Sequence, residues 1–300
     1  MPIELPSANQ QQTEDTFSFK WRKRDTYDSP HVRAEWKRWL LEKYVDGESE
    51  AVGALLGEPR KKILDAGCGS GGSASLFFGD LLKQHDYLGV DISDAVEVAR
   101  MRFAELGLPG AFLQCDLNRI PESFGLFDVI FSEGVLHHTD SVESALATLA
   151  PRLKPGGLFI FYVYARKAPI REFTDDHVRT ALEPLGNDEA WAALRPLTLL
   201  GKQLGELNVQ IEIQEDIPYL GIPKGTYDLQ RLFYYKFCKT FYRPEYSLEE
   251  MNHINFDWFR PKNCFRHTKD EIENFCGAAG LLVRRMHIEE SGFSVIAARL

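Results

Sequence analysis

Hydrophobic positions fall into two textures along the chain. From residue 61, short apolar runs at 62–65, 87–91, 111–115, 127–131 and 158–165 read as strands separated by segments of helical period. The run at 158–165 is apolar without alternation, as a strand covered on both faces should be. A helical stretch extends to Leu82. Ser93 is placed to cap a helix that Gly107 ends, and Asp140 with Glu143 makes a capping-box pattern before a helix closed by Lys154-Pro155-Gly156-Gly157. Strands alternating with helices at these lengths predict an α/β fold with a doubly wound, mostly parallel sheet.

The alternation stops at residue 166. Residues 166–265 read as mainly helical and rich in aromatics, with an apolar period over 226–242 and a capping box at Ser247 and Glu250. Thr268 with Glu271 restarts regular structure, and 281–287 and 293–299 read as an antiparallel strand pair. Upstream, Ser29-Pro30 places a cap before a first-turn proline, and Val32, Trp36, Trp39 and Tyr44 follow at helical spacing; packing is favoured for the tryptophans. The expected organisation is a flexible polar tail over 1–16 and a helical arm over 17–60. A ligand-binding core over 61–165 is followed by an insertion acting as lid or substrate wall over 166–266, and 267–300 returns to the core sheet.

Composition narrows the function. The chain has 300 residues, 44% hydrophobic and 26% charged, which is enough apolar matter for a full core. Lys plus Arg number 35 against 44 Asp plus Glu, a net charge of −9. Binding dominated by phosphate contacts needs a cationic surface, so a nucleic-acid substrate is disfavoured. No apolar run is long enough to span a bilayer and no signal pattern opens the chain, so the expectation is a cytoplasmic protein without membrane contact. The five cysteines are never spaced C-x-x-C, which fits neither a disulfide framework nor a zinc knuckle.

The sharpest chemical signal is the turn after the first strand, Gly67-Cys68-Gly69-Ser70-Gly71-Gly72. Glycines let the backbone turn tightly and bring amides against a ligand, and the following helix start offers partial positive charge. Gly67, Gly69 and Gly72 also satisfy the dinucleotide spacing G-x-G-x-x-G, so the turn alone leaves a nicotinamide-dependent oxidoreductase open. Its neighbours weigh the other way. Asp65 ends the first strand, Asp91 ends the second, and Asp116 follows the third. Three strand-end acids suit a cationic adenosine ligand better than an anionic dinucleotide, with Asp91 placed for ribose hydroxyls.

Ile63-Leu64-Asp65-Ala66-Gly67-Cys68-Gly69-Ser70-Gly71 resembles the first motif of class I S-adenosylmethionine (SAM)-dependent methyltransferases. Gly89-Val90-Asp91-Ile92-Ser93, Cys115-Asp116-Leu117, 127–132 and 153–157 resemble the later motifs in order. The resemblance covers roughly 61–165 and, more loosely, 268–300. It implies a seven-stranded sheet with an antiparallel last strand, and SAM as cofactor. It further implies Gly67 and Gly69 at the methionine portion, Asp91 at the ribose, Asp116 and Leu117 at the adenine, and Ser132 and Glu133 beside the sulfonium; Asp65, Gly71 and Ile92 are further expected cofactor-binding residues.

The acceptor side is less determined, because the arm and insertion lie outside the resemblance. His137 and His138 follow the fourth strand, where a general base for a hydroxyl acceptor would sit, although such a pair can equally be structural. Arg166 and Arg171 are candidate clamps for an anionic group, unless they pair with Glu172, Asp175 and Asp176. Tyr235, Trp258 and Arg266 are candidate pocket lining, and Trp21, Arg24 and Tyr27 could fold over the cofactor. No metal is expected, since Gly134 and His137 stand where carboxylates would be wanted. The expected activity is methyl transfer to oxygen or nitrogen of a small, anionic metabolite. The alternatives are the nicotinamide oxidoreductase, a nucleic-acid methyltransferase and a SAM-binding partner protein without turnover.

Overall fold

The computed structural model describes residues 7–300, which form two compact units. The first comprises residues 7–22, 33–165 and 265–300; the second comprises 23–32 and 166–264.

The first unit is built on a seven-stranded sheet. Its strands are β1 (Lys62–Ala66), β2 (Asp86–Asp91), β3 (Ala111–Gln114), β4 (Phe127–Glu133) and β5 (Leu153–Tyr164), together with the C-terminal pair Leu281–Ile288 and Gly292–Arg299, numbered β8 and β9. The spatial order is β3-β2-β1-β4-β5-β9-β8. The first five strands are parallel, while β9 runs antiparallel to both β5 and β8. This is the doubly wound sheet with one reversed strand that the apolar pattern and the resemblance call for.

Two apolar layers cover it. Leu64, Ile130, Phe159 and Val295 bury one face with Leu146 and Ile272 of the helices α6 (Val142–Leu149) and α11 (Lys269–Ala278). Ile63, Val129, Phe131 and Ile160 point into the other layer. There they meet Tyr44, Val52, Phe77 and Phe103 from α2 (Pro30–Val45), α3 (Ser49–Leu56), α4 (Gly72–Phe77) and α5 (Ala95–Glu105). Alternate residues of β1 and β4 therefore feed opposite faces, as the strand period of two requires.

In the second unit, the helices α7 (Pro169–Leu182), α8 (Asn187–Glu206), α9 (Leu229–Lys236) and α10 (Leu248–Phe259) accompany a strand pair, β6 (Gln210–Ile213) and β7 (Gly225–Asp228). The sequence reading leaves the pair out, although Gln210-Ile211-Glu212-Ile213 alternates polar and apolar; each strand is only four residues long and mostly exposed.

Several local expectations are corrected. Residues 8–22, of which 8–16 are expected in a polar tail, form helix α1 (Ala8–Arg22). Its polar positions are used rather than solvated: Gln10 donates to the His138 carbonyl, and Thr13, Thr16 and Lys20 are buried. The part of the tail at 1–6 lies outside the described residues. The helix 142–149 is capped by Ser141, whose hydroxyl accepts from the Ser144 N–H, and not by Asp140. Ser93 turns its hydroxyl to Asp91 at 2.6 Å. Trp39 is 40% exposed and its ring is faced by the Lys43 ammonium, while Trp36 packs on the second layer as expected. The capping boxes at Ser247/Glu250 and Thr268/Glu271 are both formed. Among the described residues no helix is long and apolar enough to cross a membrane.

Candidate functional site

The sheet's central strands β1 and β2 end at the glycine turn, and the turn's backbone is bound to β2. Gly67 and Cys68 donate to the Val90 carbonyl at 2.7 and 2.9 Å. Gly67, Gly69 and Gly71 have φ of +86°, +50° and +71°, a region that favours glycine. A Cβ at Gly67 would lie 2.3 Å from Val135 Cγ1, and one at Gly69 2.9 Å from the Trp21 indole nitrogen. The sequence therefore needs glycine here both for conformation and for space.

Two acids flank the turn. Asp91 receives the Gly69 N–H on Oδ2 at 2.8 Å, and the Ser93 N–H and hydroxyl on Oδ1 at 2.9 and 2.6 Å. Burial raises its pKa, while the Ser93 and Gly69 donors and the Lys20 ammonium oppose the rise. Asp65, 2% exposed, accepts from the Tyr87 hydroxyl at 2.6 Å. Burial lifts its pKa to about 7, with the Tyr87 bond opposing and the charges of Asp91 and Glu133 adding to the rise. Three carboxyl groups within electrostatic reach form a neighbourhood hostile to a pyrophosphate and receptive to a cation.

Glu133, at the end of β4, accepts from the Tyr44 hydroxyl and from Lys43 Nζ, the latter at 3.3 Å. Lys43 is buried between the rings of Trp39 and Tyr162, each centroid 3.7 Å from its nitrogen. Ser132, also assigned to the sulfonium end, donates its hydroxyl to the Ala66 carbonyl at 2.7 Å and so ties β4 to β1. Ile92 is half-buried, and its carbonyl accepts from Gln114. Asp116 accepts the Asn118 N–H and caps a short turn, and Leu117 packs on the core beside it.

His137 and His138 lie on a single helical turn after β4, and both are buried. His137 stacks on Tyr164 with ring centroids 3.6 Å apart, and its carbonyl accepts from Phe265 N–H. His138 meets the Phe17 ring edge-on at 5.1 Å. Of the contributions of α1, the sequence suggests Trp21 as a cover but not Lys20. Lys20, 4% exposed, lies 3.8 Å from the Trp21 ring and acts on Asp91, and Trp21 covers Gly69. Tyr87 carried no signal beyond opening a strand.

Of the expected acceptor residues, Arg171 and Trp258 lie together, the Arg171 Cζ 5.2 Å from the indole centroid. Arg166 is exposed and Arg266 half-buried. Arg171 departs from a clamp at the rim: it is 1% exposed, pairs with Asp175 at 2.8 Å and donates to the Tyr234 carbonyl. Trp258 is likewise no open wall, since its indole N–H is held by Asp175 at 2.7 Å. Tyr235 meets Tyr234 edge-on. Arg24 pairs with Asp28, and Tyr27 packs on His253 within the second unit. Among the described residues no group of three or more His, Cys, Asp or Glu is placed to hold a metal ion.

Residues 64–161, from β1 through most of β5, match the family model described as "Methyltransferase domain". This part of the chain is a methyltransferase domain. Its resemblance to the class I proteins is thus borne out over the stretch that carries the glycine turn and the strand-end acids. The chain is 36% identical over 112 residues to the uncharacterized methyltransferase YodH of Bacillus subtilis, covering 37% of this chain and 47% of that protein. It is 32% identical over 141 residues to tRNA U34 carboxymethyltransferase of Methylococcus capsulatus, covering 46% and 41%. The chain thus spans less than half the length of these curated relatives. In fold, the methyltransferase domain and its flanking elements are similar to 1,6-didemethyltoxoflavin-N1-methyltransferase of Burkholderia thailandensis. The TM-score is 0.50 at 16% identity, covering 100% of this chain and 92% of that one.

Proposed function

We propose that the protein is a SAM-dependent methyltransferase acting on oxygen or nitrogen of a small anionic metabolite. The observation that carries the cofactor is the glycine turn bound to Asp91, with Asp65 and Glu133 within electrostatic reach. The residues fit the group. Three glycines at positive φ shape the turn's backbone, the Ser70 hydroxyl is buried without a hydrogen-bond partner among the described residues, and the acids favour positive charge. When bound, SAM supplies an electrophilic methyl on a cationic sulfur.

In this reading Asp91 holds the ribose hydroxyls, the 67–71 turn approaches the methionine portion, and Asp65 faces its ammonium. Asp116 and Leu117 border the adenine. Lys43 and Tyr44 hold Glu133 in place at the end of β4. Ser132 fixes the spacing of β1 and β4 through Ala66. Displacement at a methyl group depends on alignment and exclusion of water, and these buried, hydrogen-bonded groups provide a rigid frame for both. His137 takes the acceptor proton when the acceptor is a hydroxyl, and His138 positions that turn against α1. The small toxoflavin precursor named for the structural relative, and the acidic balance of this chain, support a small acceptor over RNA.

The test is release of S-adenosylhomocysteine from SAM in the presence of small carboxylic and phosphorylated alcohols and amines, beside their neutral counterparts. Turnover confined to anionic acceptors is expected. Turnover on RNA alone would overturn the acceptor class, and no turnover with any acceptor would overturn the activity.

A further inference from the structure

Helix α1 lies across the carboxyl ends of the parallel strands. At its start, the Ser7 hydroxyl donates to Asp140 Oδ1 and Gln10 Nε2 donates to the His138 carbonyl, each at 3.0 Å and each in the loop after β4. At its end, Trp21 covers Gly69 in the turn after β1. Arg22 pairs there with Asp94, just after β2, and the Ser18 hydroxyl accepts the Asp94 N–H at 3.4 Å. Since β1 stands between β2 and β4, the helix crosses the point where the strand order reverses. Ligands of open α/β sheets bind at that point, outside the strand ends.

The underside of α1 has the wrong chemistry for a helix that only packs. Gln10, Thr13, Thr16 and Lys20 are all buried and recur every three or four residues, which puts them on one face. Packing alone would select an apolar stripe there. The Thr13 hydroxyl donates to the Asn9 carbonyl and the Thr16 hydroxyl accepts from Gln12, both within the helix itself. A polar underside separates from the sheet at smaller free-energy cost than an apolar one. Movement is also required for access, because Trp21 lies over Gly69 and Asp91 is buried beneath the same end of the helix.

The methionine portion of SAM carries a carboxylate as well as an ammonium. Asp65, Asp91 and Glu133 favour the ammonium and repel the carboxylate, so the carboxylate needs a cation. Lys43 is bound to Glu133, and Arg102 Nε donates to the Ser70 carbonyl at 2.9 Å. Lys20 approaches from the helix: its Nζ lies 3.8 Å from the Trp21 ring centroid and 5.2 Å from that of Phe17, and its charge reaches Asp91. The indole under this ammonium is the one that covers Gly69, which brings the cation to the turn.

We propose that α1 is the lid of the cofactor crevice and that Lys20, on its underside, receives the carboxylate of the methionine portion when the lid closes. The inference rests on the SAM reading of the turn. Closure forms a charge-assisted hydrogen bond that the lifted state lacks, so bound cofactor favours the closed lid. Phe17 and Trp21 hold the lysine chain in line.

The experiment is calorimetric titration of the full chain with S-adenosylhomocysteine and with its decarboxylated analogue, joined to hydrogen exchange of the parent with and without S-adenosylhomocysteine. The parent should prefer S-adenosylhomocysteine by about tenfold or more. Lys20→Met should bring the two affinities within about threefold of each other, and Lys20→Arg should keep the preference. The ratio is the readout because any effect of the variant on Asp91 and the ribose weakens both ligands alike. Saturating S-adenosylhomocysteine should slow exchange of the 8–22 amides by about tenfold or more. An unchanged preference in Lys20→Met, or a parent that binds both compounds equally, would overturn the carboxylate assignment. Exchange at 8–22 unmoved by the ligand would overturn the lid. If Lys20→Met does not fold, Lys20→Gln is read against the same thresholds. A parent that binds neither compound would overturn the SAM reading itself, and the lid with it, a result distinct from the others.

Discussion

The Tyr87 hydroxyl donates to Asp65 across neighbouring strands at 2.6 Å, holding a carboxyl group inside the sheet at the edge of the glycine turn. Burial is the larger influence on that carboxyl and raises it from 3.8 to about 7. Between those values the folded chain keeps a proton that the unfolded chain has released, so stability falls as pH rises through this window. Asp65→Asn should therefore melt higher than the parent at pH 8, by free energy on the order of 4 kcal/mol, with the gap closing toward pH 4. Thermal unfolding at both pH values checks this, and a constant gap would show that Asp65 does not titrate in the window. In the same range, affinity for S-adenosylhomocysteine should rise with pH, since its ammonium group favours the carboxylate.

Gly67→Ala should lower stability by about 1–3 kcal/mol, because φ is +86° and the new Cβ would overlap Val135. Chemical denaturation measures it directly. The double variant with Val135→Ala should recover the overlap part and leave the backbone part.

Arg171→Ala should cost about 3–5 kcal/mol of stability, since it leaves Asp175 buried with its charge partner removed. The expected observation is a lowered denaturation midpoint. Arg171→Ala unfolding at the parental midpoint would place the arginine outside the structural core of its unit.

His137→Gln should lower kcat by about 100-fold or more on a hydroxyl acceptor while leaving cofactor affinity unchanged. An equal loss of cofactor affinity would make His137 a structural part of the turn. The stacked Tyr164 ring supports the variant's fold by packing against a side chain of similar size.

The sheet and the position of the glycine turn were legible because each rests on a local rule. Apolar runs spaced by capped helices specify β1 to β5, and glycines at positive φ beside strand-end acids specify the turn. Arg171 was ambiguous for a physical reason: a cation four residues before an acid on a helix reads alike whether the pair is solvated or buried, and only packing under Trp258 decides. The first part of helix α1, residues 8–16, reads as tail because its polar side chains find partners far along the chain, such as Gln10 with His138. Such partners have no signature in a local window.

The most direct measurement of the central claim is calorimetric titration of the parent and of Asp91→Ala with S-adenosylhomocysteine and, separately, NAD. Binding of S-adenosylhomocysteine but not NAD to the parent is expected, weakened by about 1–3 kcal/mol in Asp91→Ala through loss of the acceptor for the ribose hydroxyls. Binding of NAD alone, or equal affinity of the parent and variant for S-adenosylhomocysteine, would contradict it.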